Sequence, residues 1–286
     1  MKHEELDKAR QNFNKLNMLL ARKAKNRGLQ TSLCLYDFLT KQWIEKDADN
    51  RLYPASLIKI LYLLTVLDQV EQGVLALNDS YTFSEQDKYA GSTKVTGAGS
   101  LQFTEAGGIY TVEELLKMMI SASDNVAANI VLDLVGPQAV AAMTTRLGLS
   151  QTRGTRKMYA LDSPLPPNSS TARELTELLI ALENREVCGE KLKDLAVSMM
   201  LHTENKNRIG RYLKSNSVLV ANKVGTVDHM VGDMALIYFP SRPPVALTIM
   251  VTIPPCRLAI ANALARRAAA RTISRLASLV VKELQK

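Results

Sequence analysis

The stretch "LIKILYLLTVLDQVEQ", residues 57–72, is apolar nearly all round before Gly73. A helix of that kind has no face to give to water, so other elements must wrap it and the chain must build a core around it. With 286 residues, 47% of them hydrophobic, there is material for one large domain or two interlocked ones. No segment approaches the ~20 uninterrupted apolar residues of a membrane span, and a charged fraction of 22% is ordinary for a soluble protein.

The remaining elements arrange themselves around this helix. "MKHEELDKARQNFNKLNMLLARKAKNRG" reads as an amphipathic helix through Phe13, Leu16, Leu19 and Leu20, and residues 31–37 and 42–48 read as a β-hairpin around "FLTK". Thr111 with Glu114, and Thr171 with Glu174, have the spacing of capping boxes that open further helices. The Gly-rich stretch 91–108 and the Pro-rich stretch 161–170 are loops by composition. Strand character returns only at 217–225, 234–239 and 245–253, followed by an Ala- and Arg-rich helix to Lys286. Strands at both ends of a helical middle predict an α/β (α+β) fold. One antiparallel sheet, flanked by helices, is then built from both termini (1–55 and 205–286), with an all-helical region inserted at 56–204.

Composition also narrows the function. The net charge of +8 favours anionic partners, but aromatic residues are only 5% and no nucleic-acid motif accompanies the charge, so no nucleic-acid partner is expected. Arg266, Arg267, Arg271 and Arg275 have the helical spacing of a solvated face. Cys34, Cys188 and Cys256 are odd in number and far apart, which fits reduced thiols. The N-terminus is too charged for a secretory signal, so a cytoplasmic location is expected, or a periplasmic or secreted one if the start is processed. His3, His202 and His229 supply no zinc set, and neither G-x-S-x-G nor H-E-x-x-H occurs. No metal and no cofactor are expected, and a monomer is.

Three short patterns carry chemistry. In "YPASLIKI", Ser56 and Lys59 are three apart at a helix start, where hydroxyl and amine share a face. Alone, that pair reads as a plain helix start, since S-x-x-K arises by chance in many proteins. Burial among Leu57, Ile58, Ile60 and Leu61 is what would let the amine act as a base. Ser123, Asp124 and Asn125 form S-D-N, and Lys223, Val224, Gly225 and Thr226 form a K-x-G-T strand. S-x-x-K, S-D-N and K-T-G occur together, in this order, in class A β-lactamases and penicillin-binding proteins.

The chain therefore resembles the penicillin-recognising serine hydrolases with the class A β-lactamase fold, a β-lactamase/transpeptidase-like architecture with its active site at the interface of the sheet and helical regions. "DADNRLYPASLIKI", "TVEELLKMMISASDNVAANIVLDLVG" and "NSSTARELTELL" extend the likeness over nearly the whole chain. The resemblance implies that Ser56 is the nucleophile, Lys59 its base and Ser123 a proton relay. Lys223 would be a second cation, Asn125 a substrate amide contact, and Gly225 and Thr226 parts of the substrate-binding strand. It implies an oxyanion hole made by the backbone N–H groups of Ser56 and Thr226. The substrate is a small molecule or peptide, reached through an acyl-enzyme at an amide or β-lactam-like bond.

Two departures qualify this. Met158 stands where the family carries the glutamate that positions the deacylating water, and Asp162 is the only carboxylate between Met158 and the next helix. Asp162 is then either a substitute water base or a structural loop residue. Val224 removes a hydroxyl from the third motif; a lost charge-assisted bond costs about 1.5 to 3 kcal/mol, or about ten- to a hundredfold in recognition. Slow β-lactam turnover is expected, with a penicillin-binding, peptidase-like or esterase-like substrate as the alternative. A glutaminase-type amidase and a non-catalytic wall-fragment or protein-binding module are the competing readings.

Overall fold

The structure is a computed structural model that describes residues 3–23, 28–213, 217–255 and 258–286, the side chains of 3–5 excepted. It divides into two compact units. One comprises Met1–Asn50, Thr171–Leu179 and Asn205–Lys286; the other comprises Arg51–Ser170 and Ile180–Glu204.

The first unit is built on a five-stranded sheet. Its spatial order is Gln42–Lys46, Gln30–Asp37, Val245–Thr252, Met230–Tyr238 and Leu219–Val227, with every neighbouring pair antiparallel. Successive residues of a strand point to opposite faces. Leu33, Leu35, Val231, Ala235, Ile237, Leu247 and Ile249 all carry odd numbers and share a core with Phe13, Leu16, Ile273, Leu276 and Val280. Those partners come from the helices His3–Lys23 and Ala259–Leu284, which cover that face. The even-numbered face holds Cys34 and Thr248, and there Thr176 Oγ1 donates to Thr248 Oγ1 (2.9 Å) from the helix Ala172–Glu183. Cover on both sides explains why Val245–Thr252 is an apolar run, buried except at its last residue, instead of an alternating one.

The stretch expected as one helical insert is thus interrupted, because Thr171–Leu179 belongs with the sheet. Arg173 fixes this segment: its guanidinium lies 3.6 Å from the Trp43 ring centre and pairs with Glu45 at 2.7 Å. The predicted hairpin is present, and its turn is closed by buried Asp37, which accepts from Leu39 N (3.0 Å), Thr40 Oγ1 (2.8 Å) and the Arg242 guanidinium.

In the second unit the apolar stretch forms the helix Lys59–Glu71, fully buried from Lys59 to Leu67. It is surrounded by Val112–Ile120, Asn125–Val135 and Pro137–Arg146. The expected capping box is formed: Glu114 N donates to Thr111 Oγ1 (3.2 Å), and Thr111 N donates to Glu114 Oε2 (2.7 Å). No single helix among the described residues is long and apolar enough to cross a membrane.

Candidate active site

Ser56 lies on a short 3₁₀ helix, Ala55–Ile58, that runs directly into the buried helix at Lys59. Side chains three apart eclipse one another in a 3₁₀ turn, which puts residues 56 and 59 on one face. Ala55, just before the serine, is held at φ 50°, a region that L residues enter at a cost of about 1–3 kcal/mol and that concentrates at functional sites. Lys59 is fully buried. Its Nζ donates to Ser123 O (2.6 Å), Ser123 Oγ (3.4 Å), Asp124 O (3.2 Å) and Asn125 Oδ1 (2.8 Å). Ser123 and Asn125, each more than sixty residues from Lys59 in sequence, therefore meet at its amine.

The S-D-N turn is shaped for that meeting. Ser123 is also left-handed, at φ 61°, and this turns both its carbonyl and its hydroxyl toward Lys59. Asp124 caps the helix Asn125–Val135: Oδ1 accepts from Val126 N (2.9 Å) and Ala127 N (3.0 Å), and Oδ2 accepts from Leu101 N (2.9 Å). It is a buried structural carboxylate. Gly99 passes so close that a Cβ would stand 2.2 Å from the Asp124 carboxylate, so only glycine fits there. Asn125 Nδ2 donates to Thr96 O (2.8 Å).

Met158 is buried and clamped by the same helix: Met158 N donates to Asn129 Oδ1 (2.7 Å), and Asn129 Nδ2 donates to Met158 O (3.0 Å). Asn129 is one turn beyond Asn125, so the helix that carries Asn125 also fixes the loop. The next residue, Tyr159, is left-handed at φ 64°. Its hydroxyl and the Asn125 amide nitrogen both come within 3.0 Å of the point where a Gly97 Cβ would lie. Tyr159 was not legible as a site residue. Asp162 is fully exposed and accepts from Ser92 N and Ser92 Oγ (both 2.9 Å), bonds that hold its carboxyl below the usual range. These are the contacts of a clasp between two loops.

The third motif lies in the sheet unit, on the edge strand Leu219–Val227, where one side of the backbone has no strand partner among the described residues. Lys223 is fully buried, and its Nζ donates to Val224 O (3.1 Å). Burial, opposed by Asp233 and reinforced by Arg208, depresses its ammonium to about 7. Thr226 is exposed, but its Oγ1 accepts from the buried Arg208 guanidinium, which also donates to Gly225 O (2.7 Å) and to Gly232 O, opposite Gly225 in the ladder. Asp233, raised to about 6 by burial, accepts from Asn222 Nδ2 (3.0 Å) and Ile209 N (2.9 Å). Arg208 and Asp233 were missed by sequence reading. Arg208 sits in an irregular stretch with no periodicity, and Asp233 interrupts a strand that reads as apolar only from residue 234 onward.

Among the described residues no group of three His, Cys, Asp or Glu is placed to hold a metal. The buried thiols are pushed up by burial, Cys34 to about 12 and Cys188 to about 11, and are unreactive there. Cys256 lies outside the described residues.

A model of the beta-lactamase enzyme family matches residues 11–284. A β-lactamase of Streptomyces fradiae is 29% identical over 234 residues, covering 76% of this chain and 72% of that protein. The solved β-lactamase of Sphaerobacter thermophilus has the same fold, with a TM-score of 0.81 at 22% identity over 96% of this chain and 97% of its own. The structure of PBP-A is similar as well, with a TM-score of 0.80 at 19% identity over 96% of each chain.

Proposed function

This chain belongs to the beta-lactamase enzyme family and is a serine hydrolase, and from that premise we propose that Ser56 is readily acylated while the acyl-enzyme is hydrolysed slowly. The observation that carries the second half is Met158, a buried thioether locked by Asn129 at the loop position where the family keeps a water-activating carboxylate.

In the acylation step Ser56 Oγ attacks the carbonyl carbon and its proton passes to Lys59. The Oγ–C bond forms and the C–N bond breaks. The leaving nitrogen takes its proton from Ser123 Oγ, which is resupplied by Lys59 Nζ 3.4 Å away. The backbone N–H groups of Ser56 and Thr226 are assigned to the oxyanion. Asn125 is assigned to the substrate amide, and Gly225 lets an extended substrate approach the edge strand closely.

For the substrate class, a carboxylate next to the scissile bond is supported by Arg208 on Thr226, with Lys223 in the same strand. The guanidinium polarises the Thr226 hydroxyl and offsets the hydroxyl lost at Val224. Acyl-peptides with a free C-terminus and penicillins both meet that description. The acyl-enzyme then waits for water. Asp162 is assigned to the loop clasp and not to water activation, since Ser92 already occupies it.

Incubation with a fluorescent penicillin, followed by peptide mapping, tests this. A covalent adduct on Ser56, absent in Ser56→Ala, is the expected result. An unmodified Ser56 in protein that nevertheless hydrolyses an amide or ester would refute the assignment.

A further inference from the structure

The helix Ala259–Leu284 carries a second, unrelated feature on its outer face. At about 100° per residue, Ile260, Leu264, Arg267, Arg271, Arg275 and Lys282 fall on one stripe about 80° wide. All six are exposed, while Ala269, Ile273, Leu276, Ala277 and Val280 on the opposite face are buried in the sheet unit's core. None of the four cations has an ion-pair partner among the described residues. Arg266, off the stripe, pairs with Asp228 at 3.4 Å. The helix's single carboxylate, Glu283, is buried on the other side and held by Lys15 and Lys286. Where the stripe approaches the end of the helix His3–Lys23, Lys23 joins Arg275 and Lys282 around a groove of about 440 Å³ floored by Leu276 and Leu279.

Arg267, Arg271 and Arg275 are successive like charges four apart, an arrangement that weakens a helix. A merely solvated face interleaves both signs and does not expose aliphatic side chains along the same line. Here Ile260 is 77% exposed, Leu264 57%, and Leu258, just ahead of the first turn, 70%. We propose that this face docks on an anionic phospholipid bilayer. Leu258, Ile260 and Leu264 enter the boundary between headgroups and acyl chains, and the cations behind them take lipid phosphates. A dissolved polyanion satisfies the arginines equally well but offers nothing to three exposed aliphatic side chains. The alignment of Ile260 and Leu264 with the charges, with exposed Leu258 at the same end of the helix, is what selects a lipid surface.

Co-sedimentation of the full chain with vesicles tests this independently of any catalytic assignment. The chain is expected to pellet with phosphatidylcholine vesicles containing about a third phosphatidylglycerol, and not with phosphatidylcholine alone. Arg271→Glu combined with Arg275→Glu is expected to weaken binding at least about tenfold, at unchanged melting temperature. Ile260→Ser combined with Leu264→Ser, which leaves every charge in place, is expected to weaken it too. Absence of binding to the anionic vesicles at low salt overturns the proposal, and so does binding that the aliphatic pair leaves unaltered, since that result marks a general polyanion surface.

Discussion

Lys59 and Lys223 are both fully buried amines, yet their surroundings differ in kind. Lys59 faces four acceptors, one of them the Ser123 hydroxyl to which the proposed function assigns the proton relay. Lys223 is depressed to about 7 from its ordinary 10.5, so between those values the unfolded chain holds a proton that the folded chain has released. This group's contribution to stability is therefore present above pH 10.5 and lost as pH falls through about 7. Function runs the other way. The proposed function assigns Lys223 to the substrate carboxylate, and the charge that this role needs is present below about 7 and lost above it. The second-order rate of acylation by a penicillin is expected to fall between pH 6 and pH 8, roughly tenfold per unit above the transition, and Lys223→Ala is expected to remove that dependence. At this scale the sequence was legible where motifs exist: Ser56, Lys59, Ser123 and Asn125 were named from three motifs in order and the family resemblance that they carry, and the last three meet at one amine. Arg208 and Tyr159 were illegible because each acts from an irregular segment, where neither a period nor a pattern marks it out.

Among the elements, the loop carrying Met158 is an irregular segment held at several points. Its base is closed by paired backbone bonds between Arg153 and Ser169 (2.8 and 3.0 Å). Within it, Asn168 Oδ1 accepts from Arg156 N (3.0 Å), and Asn168 Nδ2 donates to Arg156 O (2.8 Å). Asn129→Ala removes both bonds to Met158 and leaves a buried N–H without its acceptor, at about 1–3 kcal/mol. Faster amide exchange across residues 156–162, with the helix Asn125–Val135 still protected, is the expected result of hydrogen-exchange measurement. The regular elements were read more easily than this loop. The run at 245–253 and the helix from Lys59 were visible because burial on all sides leaves an uninterrupted apolar text. The strand Met230–Tyr238 was read four residues late, because Gly232 and the buried Asp233 break that text for reasons that reside in Arg208, Asn222 and Ile209.

For the molecule as a whole, the sheet drawn from both ends of the chain was predictable from where strand character begins and returns, but the place of Thr171–Leu179 was not. Its assignment to the sheet depends on Thr176 reaching Thr248 and Arg173 reaching Trp43, contacts between residues far apart in sequence. Odd-numbered Ile249 lies at the centre of the sheet core, fully buried, and Ile249→Ala is expected to lower stability by about 2–5 kcal/mol, read as a lower denaturant midpoint. Under the proposed function, acylation at Ser56 outpaces hydrolysis because Met158 is a buried thioether that cannot activate water. The most direct test is the lifetime of the penicilloyl adduct, followed by intact mass after excess penicillin is removed. The adduct is predicted to persist for minutes or longer in the natural sequence and to clear about a hundredfold faster in Met158→Glu. Clearance within seconds in the natural sequence, with turnover approaching the diffusional range of about 10⁸ M⁻¹s⁻¹, would contradict it.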